Sequence, residues 1–214
     1  MIQGVNRVVE QLRERAESNQ VKSMSPKLNG GDVRRIGYKR LGPAGYEQCN
    51  WEGMNSPERV AEAISGQTRR GVTSPRFPVY VYGPAGTGKS GIAAVLYRIA
   101  TSAIWRRADS LLLDLSMGRN DGKYVQEMAK IESTHVLVMD DLGLRKPSEG
   151  MFHMLFDILE RRKAKMTVIT SNHSPEQLRD VFEDGRIYSR LMAGTPLACE
   201  GKDRRVDGHI RYKV

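Results

Sequence analysis

Eight residues, Gly83-Pro84-Ala85-Gly86-Thr87-Gly88-Lys89-Ser90, carry the spacing G-x-x-x-x-G-K-[ST] of a phosphate-binding loop. Glycines in such a loop let backbone N–H groups turn inward around a polyanion. The lysine can reach the β- and γ-phosphates of a nucleotide, and the serine hydroxyl can ligate Mg²⁺. Gly91 follows directly and opens an apolar helical segment, whose N-terminus adds partial positive charge. About fifty residues on, Asp140-Asp141 ends the apolar run Val136-Leu137-Val138-Met139. One carboxylate at that place can hold Mg²⁺ opposite Ser90, and its neighbour can orient or deprotonate an attacking water. A turn or helix cap is the competing use of such an Asp pair. Asn172 closes a second apolar run, Met166 to Ser171; its amide could position water, and an Asx turn is the alternative. Arg186 and Arg190 lie four residues apart, and Arg205 follows further on. Arginines suit a transferring phosphoryl group, but spacing alone does not separate that use from a solvated basic face.

These residues need a scaffold that brings them to one place. Pro78–Tyr82 is a β-branched and aromatic run of strand length just before the loop, and residues 91–100 are helical in pattern behind it. Ala103–Arg107, His135–Asp141, Met166–Ser171 and Thr195–Cys199 read as further strands. Helices are expected from Pro57 to about Gly66, with Ser56 as N-cap, over Lys123–Ser133, over Glu149–Lys163, whose basic end Arg161-Arg162-Lys163 suits the negative helix terminus, and over Gly185–Met192. A short helix opens at Ser174, where Gln177 completes a capping box. Residues 111–116 fit either a helix capped by Asp109 or a strand, and a loop is expected over Thr68–Pro75. Alternation of strands and helices predicts an α/β fold, a parallel sheet sandwiched by helices with right-handed crossovers. Ligands then bind at the carboxyl ends of the strands, where the Gly83 loop, Asp140, Asp141 and Asn172 all fall.

The chain has 214 residues, 28% charged and 39% hydrophobic, enough for one domain with a real core and a short appendage. We expect residues 1–45 to form an N-terminal extension and residues 46–214 the nucleotide-binding domain. Ile2, Val5, Val8, Val9 and Leu12 place an amphipathic helix over residues 2–17, followed by a linker carrying Lys22, Lys27, Arg34, Arg35, Lys39 and Arg40. The net charge of +9 favours a polyanionic partner, nucleic acid first. Arg106, Arg107, Lys123 and the linker are candidates for its contacts. Cys49 and Cys199 are isolated, which argues against a zinc cluster or a disulfide framework. No apolar run approaches the roughly 20 residues that span a bilayer. The expectation is a cytoplasmic protein without membrane contact.

Together these motifs resemble the AAA+ ATPases of the DnaC/DnaI helicase-loader and IstB-like family, over roughly Asn55 to Arg205. Gly83–Ser90 looks like its Walker A element, Val136–Gly143 its Walker B and Thr170-Ser171-Asn172 its sensor 1. The segment Asp184–Leu191 resembles its arginine-finger box, which makes Arg190 the finger. Gly201-Lys202-Asp203-Arg204-Arg205 is similar to its terminal G-x-D-x-R, which makes Arg205 the sensor 2 candidate.

The resemblance implies a P-loop AAA+ domain that binds ATP and Mg²⁺, with Ser90 and Asp140 at the metal and Asp141, Asn172, Arg190 and Arg205 in hydrolysis. It implies a homo-oligomeric ring or spiral that binds single-stranded DNA and delivers a DnaB-like hexameric replicative helicase. Hydrolysis is expected to be slow and stimulated by DNA or assembly, because Asp141 is shorter than the glutamate common at its position. The alternatives are an IstB-like transposition helper acting on duplex DNA and a nucleotide-gated adaptor with little hydrolysis. The extension before residue 46 is shorter than the N-terminal domains of many loaders and lacks the zinc cluster some of them carry there.

Overall fold

The computed structural model describes residues 39, 41–47, 49–51, 53–65, 67–68, 71–72, 76–118, 122–144, 146–183 and 185–204. The expected helix over residues 2–17, nearly all of the basic linker, and Arg205 lie outside them.

Five strands form one parallel sheet, β3 (Val79–Tyr82), β4 (Ala103–Arg107), β5 (Val136–Leu142), β6 (Thr167–Ser171) and β7 (Thr195–Ala198), in the order β4-β5-β6-β3-β7. The loop-bearing strand β3 therefore lies inside the sheet, between β6 and β7. A separate two-stranded antiparallel ladder, β1 (Gln67–Thr68) and β2 (Gly71–Val72), occupies part of the stretch expected to be a loop.

Strand alternation sends side chains to two layers. Val79, Val81, Val136, Val138 and Val168 pack with α1 (Pro57–Ser65) and α2 (Lys89–Ile99). Tyr80, Leu137, Met139 and Ile169 face the opposite layer. That layer holds α3 (Ala108–Met117), α4 (Lys123–Ser133), α5 (Glu149–Arg161), α6 (Pro175–Phe182) and α7 (Gly185–Ala193). Both faces are thus covered, as the sequence predicts.

Residues 111–116 are helical. Ala108, Leu111, Leu112 and Leu115 are buried at helical spacing while Leu113 is exposed, a pattern no strand could produce. Asp109 is not the cap expected of it; the N-cap is Arg107, and the Asp109 carboxylate accepts from Gly143 N–H at 3.2 Å. Ser56 precedes α1 as expected, but its φ is 49° and its hydroxyl donates to the Asn55 side-chain oxygen instead of capping. The capping box at Ser174 and Gln177 is present in full.

Arg162, expected as a cation at the end of a helix reaching Lys163, instead follows the end of α5 and is buried, 1% exposed. Its guanidinium donates to the carbonyls of Ile131, Thr134, His135 and Met166 and to the Thr167 hydroxyl. It thereby fastens the end of α4 to the starts of β5 and β6. Burial pulls its pKa down to about 10.

Tyr46, at the expected domain boundary, stacks at a tilt on Trp105 with ring centroids 5.9 Å apart, and Trp51 and Met54 enter the α1–α2 layer.

Candidate functional site

The loop after β3 turns where its glycines allow. Gly83, Gly86 and Gly88 have φ of 145°, 74° and 95°, conformations closed to most other residues. Gly83 also approaches the Cys199 backbone so closely that a Cβ would overlap the Cys199 carbonyl. Gly83 N–H donates to the Ser171 carbonyl at 3.3 Å, which ties the loop to the end of β6. Thr87 is buried and its hydroxyl donates to the Pro84 carbonyl at 2.9 Å; Pro84 and Ala85 are exposed. Lys89 curls back along the loop and its ammonium donates to the carbonyls of Gly83 and Pro84, at 2.8 and 2.7 Å. Gly88 stands at the N-cap of α2, so the loop presents its backbone at the positive end of that helix. Gly91, in the first turn of α2, lies beside the Cys49 thiol.

Across the strand ends, Ser90 donates to Asp140 Oδ1 at 2.9 Å, and Thr170 donates to the same oxygen at 2.5 Å. Asp141 N–H donates to Thr170 Oγ1 at 2.9 Å. One hydroxyl thus joins the two acids, and the loop serine closes the chain. Asp140 is 7% exposed, and burial raises its pKa; the nearby Asp141 charge adds to this, while the Thr170 and Ser90 hydrogen bonds and Arg107 oppose it. Arg107 is the register partner of Asp140 on the edge strand β4. Asp141 is half-buried with a φ of 59°, the left-handed region that Asp tolerates better than most residues. Ser90 and Asp140 present hydroxyl and carboxylate oxygens side by side, a donor set that fits Mg²⁺ with water completing its shell. The left-handed glycines and the lysine of the loop fit a polyphosphate. Among the described residues, no cluster of three or more His, Cys, Asp or Glu could hold a metal.

Asn172 directly follows β6 at the same edge and is exposed. Arg190 is not brought to this site. It lies on α7, one turn before Gly194 and Thr195; Thr195 N–H bonds the Pro78 carbonyl at the start of β3, while the phosphate-binding loop follows its end. Its guanidinium donates to Glu160 Oε1 at 2.7 Å and to the Arg186 carbonyl, and lies 3.8 Å from the Phe156 ring centre. Arg186 rests over Phe152 and Phe156.

Thr170 was passed over in the sequence as a site residue in its own right. Thr167, Thr170 and Ser171 all bring hydroxyls into a buried strand, where each must find a partner; that signal marks the strand, and nothing local singles out Thr170 among them. Asn55 was also missed; its amide donates to the carbonyls of Thr87 and Glu200, joining the segment before α1 to the loop. No feature of the sequence pattern marks it.

A parallel sheet with this loop after an interior strand and paired acids after its neighbour but one defines a P-loop AAA+ domain. The chain belongs to the IstB-like ATP binding protein family, whose model matches residues 74–194. Over 99 residues it is 31% identical to an insertion sequence ATP-binding protein of Sinorhizobium fredii, covering 44% of this chain and 40% of that one. The DnaC helicase loader shares its fold at a TM-score of 0.50 and 21% identity, over 57% of this chain and 78% of that one. The replication initiator DnaA bound to AMPPCP and single-stranded DNA does so at 0.60 and 21% identity, over 76% of this chain and 52% of that one. The chain spans about two-fifths of the length of the curated relatives it matches. Among the described residues, no helix is long and apolar enough to cross a membrane.

Proposed function

We propose that this chain is a slow ATPase that assembles on DNA and completes each nucleotide site with an arginine from the neighbouring subunit. The observation that carries this reading is the position of Arg190, held at the end of the sheet away from the loop of its own chain. In this reading the backbone of Gly83–Gly91 surrounds the phosphates and Lys89 reaches the β- and γ-groups. Ser90 and Asp140 hold Mg²⁺, which supplies charge neutralisation on the phosphates. Asp141 accepts a proton from water, Asn172 orients that water, and Arg190 of one subunit meets the charge developing at the next. Arg205, the sensor 2 candidate, takes part in hydrolysis. The short Asp141 side chain, half-buried in a left-handed turn, favours slow turnover, as suits a switch.

The family match and the insertion-sequence relatives favour a helper that presents duplex DNA to a transposase over the helicase loader to which the motifs alone gave first place. The second reading, a loader that binds single-stranded DNA and a hexameric helicase, draws on the fold shared with DnaC. The basic charge serves either.

Light scattering of the full chain with and without ATP·Mg²⁺ tests these readings, in the presence of duplex DNA, single-stranded DNA or a hexameric replicative helicase from the same host. Nucleotide-dependent assembly on duplex DNA supports the helper. A stable, nucleotide-sensitive complex with the helicase supports the loader and overturns the helper. Assembly with no single-turnover hydrolysis would leave an adaptor in place of an ATPase.

A further inference from the structure

The segment that follows β7 runs along the phosphate-binding loop for the loop's whole length. Cys199 N–H bonds the Tyr82 carbonyl at 2.7 Å, and its own carbonyl lies against Gly83. Arg204 N–H donates to the Gly86 carbonyl at 3.0 Å, and its guanidinium donates to the Gly53 carbonyl at 3.0 Å while lying beside Gly88. Asn55 bridges Thr87 and Glu200. Residues 199–204 thus form a strap fastened at both ends to the loop and to the segment before α1. Between these fastenings the Asp203 carboxylate lies directly on Gly86, so closely that a Cβ on that glycine would overlap it. A carboxylate in van der Waals contact with a loop built to surround phosphate occupies ground that the anionic groups of a nucleotide need, and nothing in the Walker chemistry requires it.

We propose that Asp203 is a specificity-determining residue of the nucleotide site, a resident counter-anion that weakens binding of bare nucleotide and makes binding depend on a divalent cation. The proposal rests on the reading of Gly83–Ser90 as a nucleotide site. Any phosphate held by the loop must lie within a few ångströms of Gly86, hence near this carboxylate, or must push the strap aside. Free ATP brings about four negative charges and its Mg²⁺ complex about two, so the repulsion is roughly halved when the cation is present. At a separation of roughly 6 Å, and with the dielectric of bulk water, removing the carboxylate charge corresponds to about a hundredfold gain for the free nucleotide and about tenfold for the complex. The two fastenings made by Arg204 use backbone carbonyls, and an isosteric amide at Asp203 keeps the shape of that side chain while removing its charge.

The test is titration of the full chain with a fluorescent ATP analogue, once with Mg²⁺ and once with EDTA, for the wild type, Asp203→Asn, Asp203→Ser and Lys89→Ala. Both Asp203 variants should bind more tightly than the wild type, with the larger gain in EDTA, so that the affinity ratio between the two conditions shrinks. Thermal melting identifies any variant that fails to fold, and the other variant then carries the test. Unchanged affinity, or an equal gain in both conditions, overturns the proposal. Weaker binding in Mg²⁺ alone overturns it in favour of Asp203 as a ligand of the cation. Wild type that binds no better than Lys89→Ala overturns the reading of the loop itself, and the proposal with it.

Discussion

Replacing Arg190 by alanine separates a structural role from a catalytic one, because the structure bounds how much the side chain contributes to folding. Its guanidinium makes one ion pair, 2.7 Å to Glu160, with the two side chains 26% and 42% exposed. A pair that open to solvent is worth under about 1 kcal/mol. The stacking on Phe156, at 3.8 Å, adds about 0.5–1 kcal/mol. The stability cost of Arg190→Ala is therefore about 1–2 kcal/mol, which lowers the melting temperature of a domain this size by about 3–6 °C. A guanidinium that meets the transferring phosphoryl group is worth far more, at least about 10³ in rate or about 4 kcal/mol of transition-state stabilisation. The assay is ATP hydrolysis per subunit in the DNA-assembled state, alongside nucleotide affinity. We expect affinity to stay within about threefold of the wild type while the assembled rate falls about a thousandfold. Glu160→Gln breaks the ion pair but keeps the guanidinium and its stacking, so it should cost only the ion-pair share, under about 1 kcal/mol, and retain most of the rate. Mixing provides the sharper check. Lys89→Ala subunits keep Arg190 but lose nucleotide, and Arg190→Ala subunits keep nucleotide but lose the arginine. Their mixture should regain activity that neither has alone. Arg190→Ala protein that hydrolyses normally when assembled, or a mixture that stays inactive although it co-assembles, refutes the trans arrangement.

Three other substitutions probe the site and its support. Burial holds the Asp140 carboxyl above its ordinary range, so the folded state keeps this proton longer than the unfolded chain does. Its contribution to stability is full below about pH 4 and declines as pH rises through the folded value; Asp140→Asn should flatten that decline in melting curves without Mg²⁺, and an unaltered decline would contradict the assignment. Asp141→Gly should relieve about 1 kcal/mol of left-handed backbone strain while lowering hydrolysis by at least about 100-fold; a variant that hydrolyses at the wild-type rate shows that this carboxylate is not the base. Arg162→Met leaves four backbone carbonyls without their buried donor and should cost about 3–5 kcal/mol, read from the denaturant midpoint; a midpoint shift under about 1 kcal/mol contradicts the fastening role.

The parts of this fold that were legible in the sequence are those that a short pattern specifies. The order of strands and helices, the parallel sheet and the meeting of Ser90 with Asp140 follow from apolar runs, a glycine-rich turn and the rule that ligands sit at strand ends. What was hidden depends on contacts between distant segments. Leu111–Ser116 offered four leucines within six residues, compatible with either period, and only packing against the sheet and α5 selects the helix. Asp109 has the composition of a cap, yet its partner is Gly143, 34 residues away. Arg162 reads as one of three surface cations after a helix, and nothing local announces that five acceptors converge on it. Asp203 sits in a recognisable motif, but its contact with Gly86 spans more than a hundred residues of chain.

The sheet has two open margins, and their chemistry bears on how such a protein can crowd together without fusing. At β7, Thr195 and Cys199 donate their N–H groups inward to β3, so the next residue along, Pro196, faces outward with no N–H to offer. The outward carbonyl of Ala198 is met by the Arg59 guanidinium at 3.4 Å. At β4, Arg106 is held by Asp114, with Glu127 at 4.0 Å, and Arg107 is exposed. Each margin thus denies an incoming strand the ladder it would need. In the assembly proposed above, contacts between copies would then have to come from the helical surfaces and not from the sheet margins.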